Sequence, residues 1–292
     1  MVHLSRRQFL KCVGVTLLAS AAAQIPHLSP SSAIQFIHGR ALRTLPVYAA
    51  PFEQSEIKAR MWSDSVVPIQ EADAGWYLLQ NGYAKREAIQ PMVLKHTSTS
   101  LPALPFWAEV GGSVAVVRQW CAADAPLVAR IGHGGVARVV DMLPGAVDWY
   151  AVADEDSFLG WSQAAPWHPV AANLADNTHT TLIIDTQARQ IEVLADDEAV
   201  LRAPVALGDD VPRGTFHLQK RRHSVKSSLY QASSLYGAPW QLQFGAFSLV
   251  GAYWHNQFGK PGAVQGAEVQ VTPAVAGWLF ARVGGHTPVI VR

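Results

Sequence analysis

Almost no stretch of this chain keeps an apolar period of 3.6 over three turns. Short runs of alternating apolar and polar residues follow one another instead, each interrupted by Gly, Pro, Asn or Asp. Alternation gives a strand two distinct faces, and those four residue types make the turns between strands. The pattern therefore predicts a mainly β fold with little helix. The 22 Gly and 18 Pro supply turns, and the 10 Trp suit strand-rich units with large ring platforms. With 292 residues there is room for two or three domains.

The first residues read differently. "SRRQFLK" (5–11) precedes the apolar, small-residue run "CVGVTLLASAAA". Paired Arg ahead of a short apolar region is a twin-arginine export signal, predicted over 1–23. A run of 12 residues is well short of the roughly 20 that a membrane-spanning helix needs. No later run is long and apolar enough to span a bilayer, so no transmembrane segment is expected in the mature chain. The expected location is the cell envelope or the extracellular space. Net charge is +1, and loss of 1–23 leaves 20 basic against 22 acidic residues. That balance argues against a nucleic-acid partner. Cys12 leaves with the signal, and Cys121 then stands alone in "RQWCAADAP", without an activating neighbour and without a disulfide partner.

Residues 24–40 carry Pro and Ser and read as a linker. Two segments then echo each other. "DAGWYLLQNGYAKREAIQP" (73–91) and "AVDWYAVADEDSFLGWSQAAPW" (146–167) each hold Trp-Tyr, an alternating strand, a turn and another aromatic. Such self-similarity predicts related small β-barrels over 41–92 and 104–168, with Trp76, Tyr77, Trp149 and Tyr150 filling their cores. The arrangement resembles bacterial Src-homology-type domains.

From Thr178 strand and turn alternate through "HTTLIIDTQARQIEVLADDEAVLRAPVALGDD". "VPRGTFHLQKR" turns at Pro212 and Gly214 into a strand, and "TPAVAGWLFARV" is the clear helix, with Thr272 as N-cap and Pro273 at the first helical position.

Four ordered blocks within 177–292 resemble the L,D-transpeptidase catalytic domain. They are "LIIDTQARQIEVL", "APVALGDDVPRGTFHLQKR", "APWQLQFGAFSLVGAYWHNQFGKP" and "QGAEVQVTPAVAGWLF". The resemblance implies a β-sandwich with a short helix, preceded by one or two small β-barrels. It also implies peptidoglycan stem peptides or the wall as partner, and no cofactor. Members of that family attack a peptide carbonyl with a Cys thiolate that a His activates. A thiol with a pKa near 8.5 needs such a base at neutral pH.

This chain departs from the pattern at its centre. Counted back from Thr272-Pro273, the Cys position holds Glu268, the loop His is Gly266, the loop Ser is Gln265, and the loop Gly is Ala267. Gln270 stands where Arg or Asn is usual, and Val250 stands at the first His. No Cys follows Cys121. The expectation is a non-catalytic domain that keeps a peptide groove lined by Trp240, Tyr253, Trp254, His255, Gln265 and Glu268. Two alternatives stay open. One is an active transpeptidase or carboxypeptidase using Glu268 as base with His255. The other is a scaffold for another envelope protein. His217, His223 and His286 lack metal-ligand spacing, so no metal is expected.

Overall fold

The computed structural model describes residues 37–73, 75–94, 101–170, 180–230 and 233–292. The expected signal and most of the expected linker lie outside them. The chain is mainly β, with one α-helix among the described residues. None of these residues forms a helix long and apolar enough to cross a membrane.

The first unit has seven strands: β1 (His38–Ala41), β2 (Leu45–Tyr48), β3 (Ile57–Met61), β4 (Val66–Asp73), β5 (Trp76–Leu79), β6 (Gly82–Lys85) and β7 (Ile89–Met92). Their order is β3-β2-β6-β5-β4-β1-β7. The middle unit has β8 (Phe106–Val110), β9 (Val114–Arg118), β10 (Leu127–Gly132), β11 (Val136–Leu143), β12 (Trp149–Ala153), β13 (Phe158–Gln163) and β14 (Trp167–Pro169). Its order, β10-β9-β13-β12-β11-β8-β14, is the same arrangement shifted by seven strands.

The Trp-Tyr pairs occupy equivalent strands, β5 and β12, and Tyr77, Trp149 and Tyr150 are buried. Gly82 and Gly160 are a second shared device. Both have positive φ, and a Cβ on either would overlap a backbone carbonyl, that of Tyr48 or of Arg118. Only glycine tolerates that approach.

β1 begins at His38, inside the stretch that reads as linker. Arg40 is the physical reason: its side chain is buried and fully engaged with neighbours, so it cannot belong to a solvated tether.

The C-terminal unit contains two five-stranded sheets. One runs β17 (Glu198–Pro204), β16 (Gln190–Ala195), β15 (Thr180–Asp185), β24 (Val289–Val291), β19 (Gly214–Phe216). The other runs β18 (Ala206–Leu207), β23 (Glu268–Val271), β22 (Ser248–Gly251), β21 (Ser233–Gln243), β20 (Lys220–Tyr230). Leu182, Ile184 and Ile191 from the first sheet share a core with Leu242, Leu249 and Val269 from the second.

Helix α1 (Pro273–Arg282) adds Val275, Ala276 and Leu279 to that core. Its start follows from the sequence: Thr272 Oγ1 accepts the Val275 N–H at 3.4 Å, and Pro273 has no N–H to leave unpaired. Trp240 sits at φ +61°, a left-handed conformation that is rare for a bulky residue. Gly277 on α1 admits its indole, because a Cβ there would come within 3.1 Å of the ring nitrogen.

The outer face of the second sheet is not solvated. Val225, Ala238, Val250 and Ala252 join one apolar cluster with Ala108, Val110, Ile131 and Val139 of the middle unit. Both faces of this sheet are therefore buried.

Candidate functional site

β22 and β23 run parallel, with Val250 opposite Gln270 and Ser248 opposite Glu268. Period-2 alternation sends Val269 and Val271 into the sandwich core and puts Glu268 and Gln270 together on the other face. His255, four residues beyond β22, completes a chain of hydrogen bonds there.

The Gln257 N–H donates to His255 Nδ1 at 3.1 Å, which leaves the proton on Nε2. His255 Nε2 then donates to Gln270 Oε1 at 2.6 Å, and Gln270 Nε2 donates to Glu268 Oε1 at 2.5 Å. All three side chains are buried. Burial pushes the Glu268 carboxyl above its usual range, with the Gln270 hydrogen bond opposing. Burial pulls His255 below its usual range, with Gln270 again opposing. The environment thus favours a neutral imidazole and resists a carboxylate.

Each residue of the "YWHN" phrase has a structural occupation. The Tyr253 hydroxyl donates to the Tyr236 carbonyl at 2.6 Å, and burial raises its pKa. The Tyr253 carbonyl accepts from Arg40 at 2.6 Å. Trp254 packs in the cluster shared with the middle unit. His255 holds Gln270. Asn256 Nδ2 donates to the carbonyls of Arg86 and Ile89 in the first unit, at 2.9 and 2.8 Å.

The expected groove walls are therefore not open. Tyr253 and Trp254 are covered by the chain's own N-terminal half, and Trp240 is packed against Phe280 of α1 at a ring separation of 5.1 Å. Of the six groove candidates, only Gln265 is exposed. The physical reason lies in the second sheet: Val225, Ala238, Val250 and Ala252 on its outer face pack against the middle unit, which covers it.

Solved structures of L,D-transpeptidases are similar to this chain. That from Stackebrandtia nassauensis is 14% identical over 39% of this chain and 55% of that chain, with a TM-score of 0.33. L,D-transpeptidase 1 of Mycobacterium tuberculosis is 17% identical over 49% and 70%, with a TM-score of 0.33. The Enterococcus faecium enzyme is 13% identical over 61% and 74%, with a TM-score of 0.34. The chain spans about half the length of the Stackebrandtia protein. No family model and no curated protein matches the sequence.

The loop ahead of Glu268 is pinned from below. The Gly208 N–H donates to the Glu268 carbonyl at 2.9 Å, and the Asp210 N–H to the Gly266 carbonyl at 3.1 Å. A Cβ at Gly208 would overlap the Gly266 carbonyl. The Gly208→Ala variant is expected to lose about 1–3 kcal/mol of unfolding free energy, the usual cost of overpacking. Urea denaturation measures it. Gly285→Ala is the comparison, since nothing lies within 4 Å of a Cβ there and its backbone is not in the left-handed region.

Among the described residues no three His, Cys, Asp or Glu side chains come together as a metal site. Cys121 is partly exposed between β9 and β10, and desolvation raises its thiol pKa, which works against a reactive thiolate. Sequence reading passed over Arg40 and the pairing role of Gln270. The alternation of Glu268 and Gln270 along one strand was the available signal for the second.

Proposed function

We propose that this is an exported, non-catalytic cell-envelope protein, related in its C-terminal unit to the L,D-transpeptidases and associated with peptidoglycan. The single observation behind this reading is the buried His255–Gln270–Glu268 chain. It stands where the resemblance expects a thiol and its base, and it presents no nucleophile. The Glu268 carboxyl is buried and accepts from Gln270, and the His255 Nε2 proton is engaged by the same Gln270, so neither group faces an open site where a substrate carbonyl could sit. Retention of "YWHN" is accounted for by packing against the first and middle units. Association with the wall then rests on outer surfaces rather than on the emptied loop.

Two measurements test this reading. Incubation with tetrapeptide muropeptides should give no cross-linked, exchanged or trimmed product by mass. The Glu268→Cys variant should stay inactive, because position 268 is buried and the imidazole beside it is engaged by Gln270. Product formed by the wild type would sink the non-catalytic reading. Separately, the protein should sediment with purified sacculi, and its remaining in the supernatant at every salt concentration would remove wall association.

The filled groove favours a second reading, in which the partner is another envelope protein.

A further inference from the structure

Fourteen large apolar side chains are exposed among the described residues, and four of them fall within residues 140–147. Val140 is 37% exposed, Met142 38%, Leu143 49% and Val147 49%. Scattered apolar exposure is ordinary, but its concentration in one hairpin is not, and concentrated apolar surface marks an interaction site.

This patch is built, not frayed. A register shift between Val139 and Asp141 marks an irregularity at Val140 in the β11–β12 pairing. Such bulges bend a strand and re-aim its side chains. Beyond it, Met142 pairs with Tyr150 and Leu143 with Trp149, yet the neighbours Met142 and Leu143 are both exposed, so β11 offers apolar surface to solvent on both faces there. Two carboxylates fix the tip. Asp141 Oδ1 accepts the Met142 N–H at 2.8 Å, and Asp148 Oδ1 accepts the Gly145 N–H at 3.0 Å. The result is a preorganised apolar finger with an acidic collar. A finger of this kind loses little conformational entropy on docking.

We infer that the β11–β12 hairpin docks into a second envelope protein that offers an apolar pocket rimmed by basic side chains. The collar selects this occupant: two carboxylates beside the apolar tip repel an anionic bilayer and attract a basic rim. The inference rests on the envelope location proposed above and not on wall association.

The test places a photo-cross-linking phenylalanine analogue at position 147 of the full chain, in bacteria that export it. The same analogue at exposed position 200 is the control. The expected result is one protein adduct at 147 that is absent at 200. That partner, purified, should bind the full chain, and Leu143→Asp should weaken binding at least tenfold. Asp141→Asn with Asp148→Asn keeps the capping oxygens and should flatten the salt dependence. Both variants should keep the wild-type unfolding midpoint and the same sedimentation with sacculi, which separates this result from wall binding. The inference is overturned by no adduct above the control, by a self-adduct, or by partner affinity indifferent to Leu143→Asp. Wild-type flotation with phosphatidylcholine vesicles that Leu143→Asp abolishes also overturns it.

Discussion

Replacing Arg40 with Met is expected to cost about 3–5 kcal/mol of unfolding free energy, the range for breaking a buried charge pair from one side. Arg40 donates to Gln90 Oε1 at 2.9 Å, to Asp64 Oδ1 at 2.8 Å and to the Tyr253 carbonyl at 2.6 Å. The first two partners lie in the first unit and the third in the C-terminal unit. The guanidinium also lies against Gly132 of the middle unit, where a Cβ would overlap it. Burial pulls the Arg40 pKa down, and Asp64 opposes that shift. The Met variant fits the apolar stem but strands two uncharged acceptors and leaves Asp64 with Arg130 alone, at 2.5 Å. Unsatisfied buried acceptors cost about 1–3 kcal/mol each. Urea unfolding followed by Trp fluorescence measures the loss. Arg43→Met removes an exposed charge and should change stability by less than about 0.5 kcal/mol. Equal effects from the two variants would show that Arg40 does not join the units.

Much of this architecture was legible because it depends on local rules. Period-2 runs with Gly and Pro turns gave a mainly β chain, and Thr272-Pro273 marked the helix start. The repeated Trp-Tyr falls on equivalent strands because each repeat reuses one strand order. The failure was at the candidate groove. Trp240, Tyr253, Trp254 and His255 read as walls when the C-terminal unit is considered alone. Tyr253 and Trp254 are buried by residues that lie 114 to 213 positions earlier, such as Ile131, Val139 and Arg40, whereas Trp240 and His255 are closed by Phe280 and Gln270 of the same unit. No local pattern carries such a contact. Arg40 was missed for the same reason: a single Arg at the end of a polar stretch gives no sign that its partners include a carbonyl in the last third of the chain. The position of Glu268 was legible from the loop phrase, but its chemistry was not, because that depends on Gln270 and His255 closing over it.

The buried His255–Gln270–Glu268 chain has a pH signature that separates its members. Gln270→Leu removes the central link and leaves His255 Nε2 and a Glu268 oxygen without their partners, at an expected cost of about 2–4 kcal/mol near neutral pH. Glu268→Gln is predicted to behave oppositely. Its amide oxygen still accepts from Gln270, and no charge is buried. Because the folded state raises the Glu268 pKa, the wild type enjoys this group's contribution fully below the unfolded value near 4.3 and loses it as pH rises through the folded value. The variant should therefore match the wild type in acid and exceed it at neutral and higher pH, by on the order of 1 kcal/mol. His255 has the reverse sign. Its pKa is lowered by burial, so its contribution is present above the unfolded value near 6.5 and is lost as pH falls through the folded value. Protonation at Nδ1 would also break the bond from the Gln257 N–H. His255→Gln should accordingly flatten the acid limb while leaving the alkaline limb as in the wild type. Denaturant midpoints for the three variants and the wild type, taken from pH 4 to pH 9, decide the matter. A Glu268→Gln gain that is the same at every pH would show that the carboxyl is not held toward its neutral form. The buried chain could then no longer support the proposed non-catalytic reading through the state of its carboxyl.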